Sequence, residues 1–217
     1  MFSQNFQAWK LHTWQDYAYF FAVLFTSIAV FYFISRAIIK RRNDASAQKR
    51  VKKKLKVKGG KVYHGATFDF GGRQLHFDHL LIDAAGIVAM RTIGWGIRIY
   101  GSAEEATWKA EDNKKEVKLE NPIRALEQGF ETMRKGFAQG DIYGVSIEPL
   151  AIFADPFAAP ELYLGRDSDC ITFQQLGAWV KNRRMRAESK ADKPDKLDTD
   201  KVIAYLDKIL VTPQVEQ

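Results

Sequence analysis

From Tyr17 to Ser35 the chain reads YAYFFAVLFTSIAVFYFIS, 19 residues without a charge, and the AII that follows Arg36 carries the apolar run to Ile39. As a helix rising about 1.5 Å per residue, it is long enough to cross a hydrocarbon core of about 30 Å. Trp14, Tyr17 and Tyr19 mark one end and Phe31, Tyr32 and Phe33 the other, as interfacial aromatic belts do. A cleaved signal peptide would carry its basic residues before the apolar run and a small-x-small site after it. Here the basic residues follow, so a retained transmembrane helix over residues 17–39 is expected.

Charge around that run sets the expected topology. Only Lys10 precedes it, whereas Arg36, Lys40, Arg41 and Arg42 follow, which by the positive-inside rule puts the N-terminus outside and the remainder in the cytoplasm of an inner membrane. Residues 1–16 are expected to lie in the interface, because Phe2, Phe6 and Trp9 recur at helical spacing with Ser3 as a cap.

The chain's net charge is +7, yet Arg36–Lys61 holds twelve basic residues against the single acid Asp44, so the chain beyond Lys61 is mildly acidic. The basic segment over residues 40–61 contains a helix expected from Asp44 as N-cap, with Ala47, Val51 and Leu55 as a narrow apolar stripe. Lys40, Arg41, Arg42, Lys52, Lys53 and Lys54 are its candidate contacts to an anionic surface. Lipid headgroups are the expected partner, since a basic cluster beside a bilayer gains roughly 1 kcal/mol per charge. Nucleic acid is possible but not favoured, because an acidic domain lacks the clustered cations that phosphate contacts need.

Beyond Lys61 the pattern is that of an α+β domain with a mixed sheet flanked by helices. KVYHGATFDF and RQLHFDHLLID read as strands joined at Gly71 and Gly72, and His76, Asp78, Leu80 and Ile82 are expected on one face. A turn at Ala84–Gly86 leads to IVAMRTI, then GIRIYG. The charged stretch to Glu120 reads as surface anchored by Trp108. Asn121 and Pro122 open a helix whose Ile123, Leu126, Phe130, Met133 and Phe137 form a core stripe. IYGVSIEPLAIFAD and CITF supply further strands, FQQLGAWVKN a short helix and residues 183–197 a polar linker. TDKVIAYLDKIL, capped by Asp198 or Thr199, is expected to bury Val202, Ile203, Leu206, Ile209 and Leu210, with a loose tail beyond Val211. Cys170, the single cysteine, is expected to be a buried structural thiol.

This succession, a basic helix, then DHLLID, a glycine turn, an apolar strand, GIRIYG, a tryptophan, NPI opening an amphipathic helix, and a closing strand and helix, resembles the NERD or nuclease-related domain over roughly Ala45–Leu210. The domain is bounded at residues 45–211. The resemblance implies a PD-(D/E)xK nuclease-like core, in which carboxylates hold Mg²⁺ and a lysine positions the attacking water. Asp78 matches the family's aspartate. Counted from Gly86, the family's glutamate falls on Arg91 and its lysine on Ile93; counted back from Gly96, they fall on Met90 and Thr92. A glutamate of the family's first helix falls on Gln48, and the glutamine after NP on Ala125.

On these residues no metal, no cofactor and no catalytic residue is expected, Asp78 being a remnant and Gln48, Arg91 and Ile93 degenerate positions. The expected role is a membrane-anchored, non-catalytic scaffold or partner-binding subunit of an inner-membrane assembly, with protein partners, in DNA-transfer or secretion machinery. The alternative is a divergent Mg²⁺-dependent nuclease or DNA-binding protein built on Asp78, Asp69, Asp83 and His76. His79 is expected to pack on the face opposite Asp78.

Overall fold

The computed structural model describes residues 14–56, 60–112, 115–157, 159–165, 168–191 and 197–211. It divides into two compact units, one ending at Arg41 and one beginning at Arg42. The first contains helix α1 (Trp14–Arg41), 28 residues long. Within it Trp14–Ala37 has a mean hydropathy of 2.0 and is apolar enough to cross a membrane. The hydroxyls of Thr26 and Ser27 donate back to the carbonyls of Ala22 and Val23 at 2.7 and 2.8 Å, so neither polar group needs a partner outside the helix. The expected interfacial segment lies, up to residue 13, outside the described residues.

The second unit begins with α2 (Asp44–Lys54). Asn43, not Asp44, is its N-cap, its side chain accepting from the Ser46 N–H at 2.7 Å. There follow β1 (Lys61–Asp69), β2 (Gln74–Asp83), β3 (Gly86–Ile93), β4 (Arg98–Gly101), β5 (Thr107–Asp112) and β6 (Lys115–Glu120). The chain continues through α3 (Pro122–Gln139), β7 (Ile147–Phe153), β8 (Glu161–Leu164), β9 (Cys170–Thr172), α4 (Leu176–Ala191), α5 (Thr199–Ile209) and β10 (Leu210–Val211). The larger sheet runs β10-β1-β2-β3-β7-β9, antiparallel up to β3 and parallel from β3 through β7 to β9. The smaller runs β6-β5-β4-β8.

Helices cover both faces of the larger sheet. Leu126, Phe130, Met133 and Phe137 of α3 and Val202 and Leu206 of α5 meet Phe68, Leu80, Ile82 and Ala89 on one side. Ala47, Val51 and Leu55, the stripe of α2, meet Leu81, Val88, Met90 and Ile152 on the other, with Leu176 of α4. Burying a side chain of this size contributes about 1.5–3 kcal/mol, so each helix is fixed mainly by its stripe. Asn121 caps α3 as its sequence requires, accepting from the Ile123 and Arg124 N–H groups while its amide donates to three loop carbonyls. A third cluster, with Ile93, Ile99, Trp108, Ile123 and Phe153, joins the smaller sheet to the end of the larger.

Four further expectations about the elements need correction. The charged stretch before Glu120 is not plain surface: β5 and β6 pair as a hairpin, with Trp108 and Ala110 buried and Lys109 and Glu116 in an ion pair on the outer face. The linker at 183–197 is helical to Ala191, because Arg183 points into the domain and is held there by acids. Leu210 stands 36% exposed, since the chain leaves α5 before it and pairs with β1. Cys170 is partly exposed, on the edge strand β9, though burial of its sulfur still pushes the thiol up to about 12. Of the two possible caps of α5, Asp198 serves, accepting from Lys201 N–H. The tail beyond Val211 lies outside the described residues.

Candidate functional site at the β2–β3 fork

The ladder between β2 and β3 runs from Asp83↔Gly86 to His79↔Met90 and then stops. Asp78 stands where the strands part, and its side chain takes over from the ladder. Oδ2 accepts from the Thr92 backbone N–H and Oδ1 from the Gln48 amide, both at 2.7 Å. Two basic side chains stand further off: Arg91 Nε is 3.9 Å and His76 Nε2 4.0 Å from the carboxylate. Asp78 is 4% exposed, Arg91 about half exposed.

The backbone explains how a residue of β2 reaches α2. Gly65 lies opposite Asp78, between the pairs His64↔His79 and Ala66↔Phe77, and has φ +58°, a conformation open to glycine. Strict alternation breaks there. Phe77 joins Leu80 and Ile82 in the core beneath α3, while Asp78 bonds to α2. The expected single face for His76, Asp78, Leu80 and Ile82 is therefore not formed.

The start of α2 is clamped so that Gln48 faces this carboxylate. Asp44 accepts from the Gly94 N–H at 2.7 Å, and a side chain at position 94 would run into the Asn43 carbonyl. Arg42 pairs with the buried Asp155 at 2.7 Å, and Arg50 donates to the Ala154 carbonyl. Burial pushes the Asp78 carboxyl above the ordinary carboxylate range; the Thr92 N–H, Arg91 and His76 oppose that rise, and Asp44 adds to it.

Of the two alignments of β3, Met90 packs against Ala47 and Val51 of α2, and Thr92 continues that face two residues on. The Thr92 hydroxyl is buried there without a hydrogen-bond partner. Arg91 and Ile93 belong to the other face, Ile93 among Trp108 and Phe153. The remaining acids of the alternative set do not converge on Asp78. Asp69 accepts from the Gly72 N–H in the β1–β2 turn, and Asp83, at the far end of β2, is forked by Arg183. His76 hydrogen-bonds Thr67 through Nδ1 at 3.0 Å. Among the described residues no three of His, Cys, Asp and Glu are grouped to hold a metal ion. His79 pairs with His64, Nδ1 to Nδ1 at 2.9 Å, and burial pushes it down to about 3, so it stays neutral.

The basic segment divides. Lys52 and Lys53 are exposed on α2, whereas Lys54 donates to the Phe173 carbonyl and lies over its ring. Arg42 is engaged by Asp155, and the side chains of Lys40 and Arg41 lie outside the described residues. Sequence reasoning gave Asp44 only as a cap, without its contact to Gly94, and missed Asp155 and Arg183. The signal for the first was local, an acid in the first turn of a basic helix; the other two reveal themselves only through partners distant in sequence.

The family model of the nuclease-related domain (NERD) matches residues 43–154, from the cap of α2 to the residue after β7. Neither the curated proteins nor the solved structures gave a match.

Proposed function

With more than half of its residues matched, the chain belongs to the nuclease-related domain family, and we propose that it is a member that binds instead of cutting: a membrane-anchored, non-catalytic scaffold or partner-binding subunit. The observation that carries this reading is the occupation of Asp78. Both of its oxygens accept from N–H donors, and the nearest charged group is a guanidinium. Mg²⁺ wants hard anionic oxygens in octahedral array and an open water. An amide, a hydroxyl and a lone carboxylate do not fit it, and they support no hydrolytic step. Asp44 is the one observation favouring the nuclease alternative, since its charge is felt at Asp78. Its own oxygen, however, is bonded to Gly94.

The anchor is α1, inserted with the N-terminus outside and the domain in the cytoplasm, as the basic residues after the apolar run favour. The exposed Lys52 and Lys53 then meet anionic headgroups, and protein partners complete an assembly of the inner membrane. Purified protein incubated with plasmid or single-stranded DNA and Mg²⁺ or Mn²⁺ should leave the DNA intact. Metal-dependent cleavage abolished by Asp78→Ala would overturn the reading. Protease added to spheroplasts should spare the domain, and digestion from outside would reverse the orientation. The unit from Arg42 onward, without α1, should float with anionic vesicles and lose that on Lys52, Lys53→Glu; flotation unchanged by the substitutions would discard that contact.

A further inference from the structure

On the α3 side the β2–β3 fork opens into a cleft of about 170 Å³. Arg73, His76, Arg91 and Gln128 line it above an apolar floor that includes Leu75 and Phe77, and no acid is among its lining residues. The first turn of α3, which closes one side, carries no acid either. Arg91 has Asp78 within ion-pair reach, but only at 3.9 Å, and that carboxylate is already satisfied by Gln48 and Thr92. Glu131, which senses Arg73, is held by Lys135 at 2.6 Å. Arg73, in the turn before β2, and Arg91 of β3 therefore line one small space, and neither is neutralised by an acid in its lining.

We propose that this cleft binds a phosphate group, presented either as free phosphate or by a small phosphomonoester. Guanidinium forks match phosphate oxygens two at a time, and Gln128 adds a neutral donor. The apolar floor suits the organic part of an ester. The inference rests on the reading that no metal works at Asp78, whose two oxygens already accept from Gln48 and Thr92.

The test is calorimetric titration of the full chain in uncharged detergent with inorganic phosphate and with adenosine 5′-monophosphate, in EDTA and again in Mg²⁺. Saturable binding in EDTA, unchanged by Mg²⁺ and weakened about tenfold or more by Arg91→Ala, is expected, with Arg91→Gln as a second variant and melting curves as the check on folding. Lys52, Lys53, Lys54→Glu should leave it intact. Tighter binding of the monophosphate assigns the floor to the ester; equal binding assigns the site to free phosphate. The absence of saturable binding in both buffers overturns the inference alone, as does binding that ignores Arg91 and vanishes with the lysines. Binding that requires Mg²⁺ and Asp78 overturns it together with the non-catalytic reading.

Discussion

Asp78 and Asp83 lie five residues apart on one strand, both buried, yet they are satisfied in opposite ways. Asp83 is forked by Arg183 at 2.8 and 2.9 Å and also accepts from the Ala85 N–H, while Glu148 holds the rest of the guanidinium at 2.8 Å. Arg183 is 3% exposed, so charge answers charge out of water. Asp78 is held by two neutral donors, and its nearest cation is half in solvent. The first arrangement clasps α4 to β2 and β7 and leaves nothing over. The second leaves a buried carboxylate short of countercharge and an arginine free to face an open cleft. A structural acid and an acid at a candidate site are thus told apart by where the surplus charge points.

The largest effect should come from Asp83→Ala. It strips Arg183 of its buried partner and leaves only Glu148, at a cost of about 3–5 kcal/mol. With roughly 2–4 °C per kcal/mol for a domain of this size, the melting temperature should fall by on the order of 10 °C. Replacing both partners together, Asp83→Leu with Arg183→Met, should recover most of that, since apolar groups of similar volume need no partner. A loss below about 1 kcal/mol for Asp83→Ala would erase the contrast.

Asp78→Ala should cost less, about 1–3 kcal/mol, because it strands the Thr92 N–H and the Gln48 amide but no buried cation. Asp78→Asn keeps an acceptor for Thr92 and should cost under about 1 kcal/mol at neutral pH. The two variants also differ from the wild type in pH dependence. The folded carboxyl sits above its ordinary value of 3.8, so the stability it contributes is complete below that value and is lost as pH rises through the folded one. Urea melts across this window should show Asp78→Asn gaining on the wild type with rising pH and then holding level. A variant that instead loses ground to the wild type as pH rises would mean that the hydrogen bonds outweigh burial.

Much of this layout was legible in the sequence. The stripes of α2 and α3, the Asn121–Pro122 start and the run of hairpins follow from periodicity and capping, which act over one or two turns. The family resemblance named Gln48 and Asp78 as positions of interest, but their contact emerges only in the fold. The failures share one cause, a local pattern overruled by a distant partner. Arg183 makes a polar segment helical and buried through Asp83, a hundred residues away in sequence. Lys109 and Glu116 make the β5–β6 face look like surface because that face is solvated, while only Trp108, Ala110 and the partly buried Leu119 report the other side. At Gly65 a single positive φ redirects the neighbouring strand, and alternation has no means of showing it.

The smallest expected change in stability is also the sharpest test of the comparison. Arg91→Ala removes a half-exposed cation 3.9 Å from Asp78, and such a pair contributes within about 0.5 kcal/mol near neutrality. Its effect on titration should be plainer. Arg91 holds the Asp78 carboxyl down against the rise that burial causes, so its loss should lift the carboxyl further and extend the pH-dependent loss of stability to higher pH. Melts of Arg91→Ala and Arg91→Ala with Asp78→Asn should therefore separate over a wider pH range than melts of the wild type and Asp78→Asn. An unchanged range would mean that Arg91 does not act on Asp78 at all, leaving that carboxylate an acid fixed only by its backbone and Gln48, as structural in its way as Asp83.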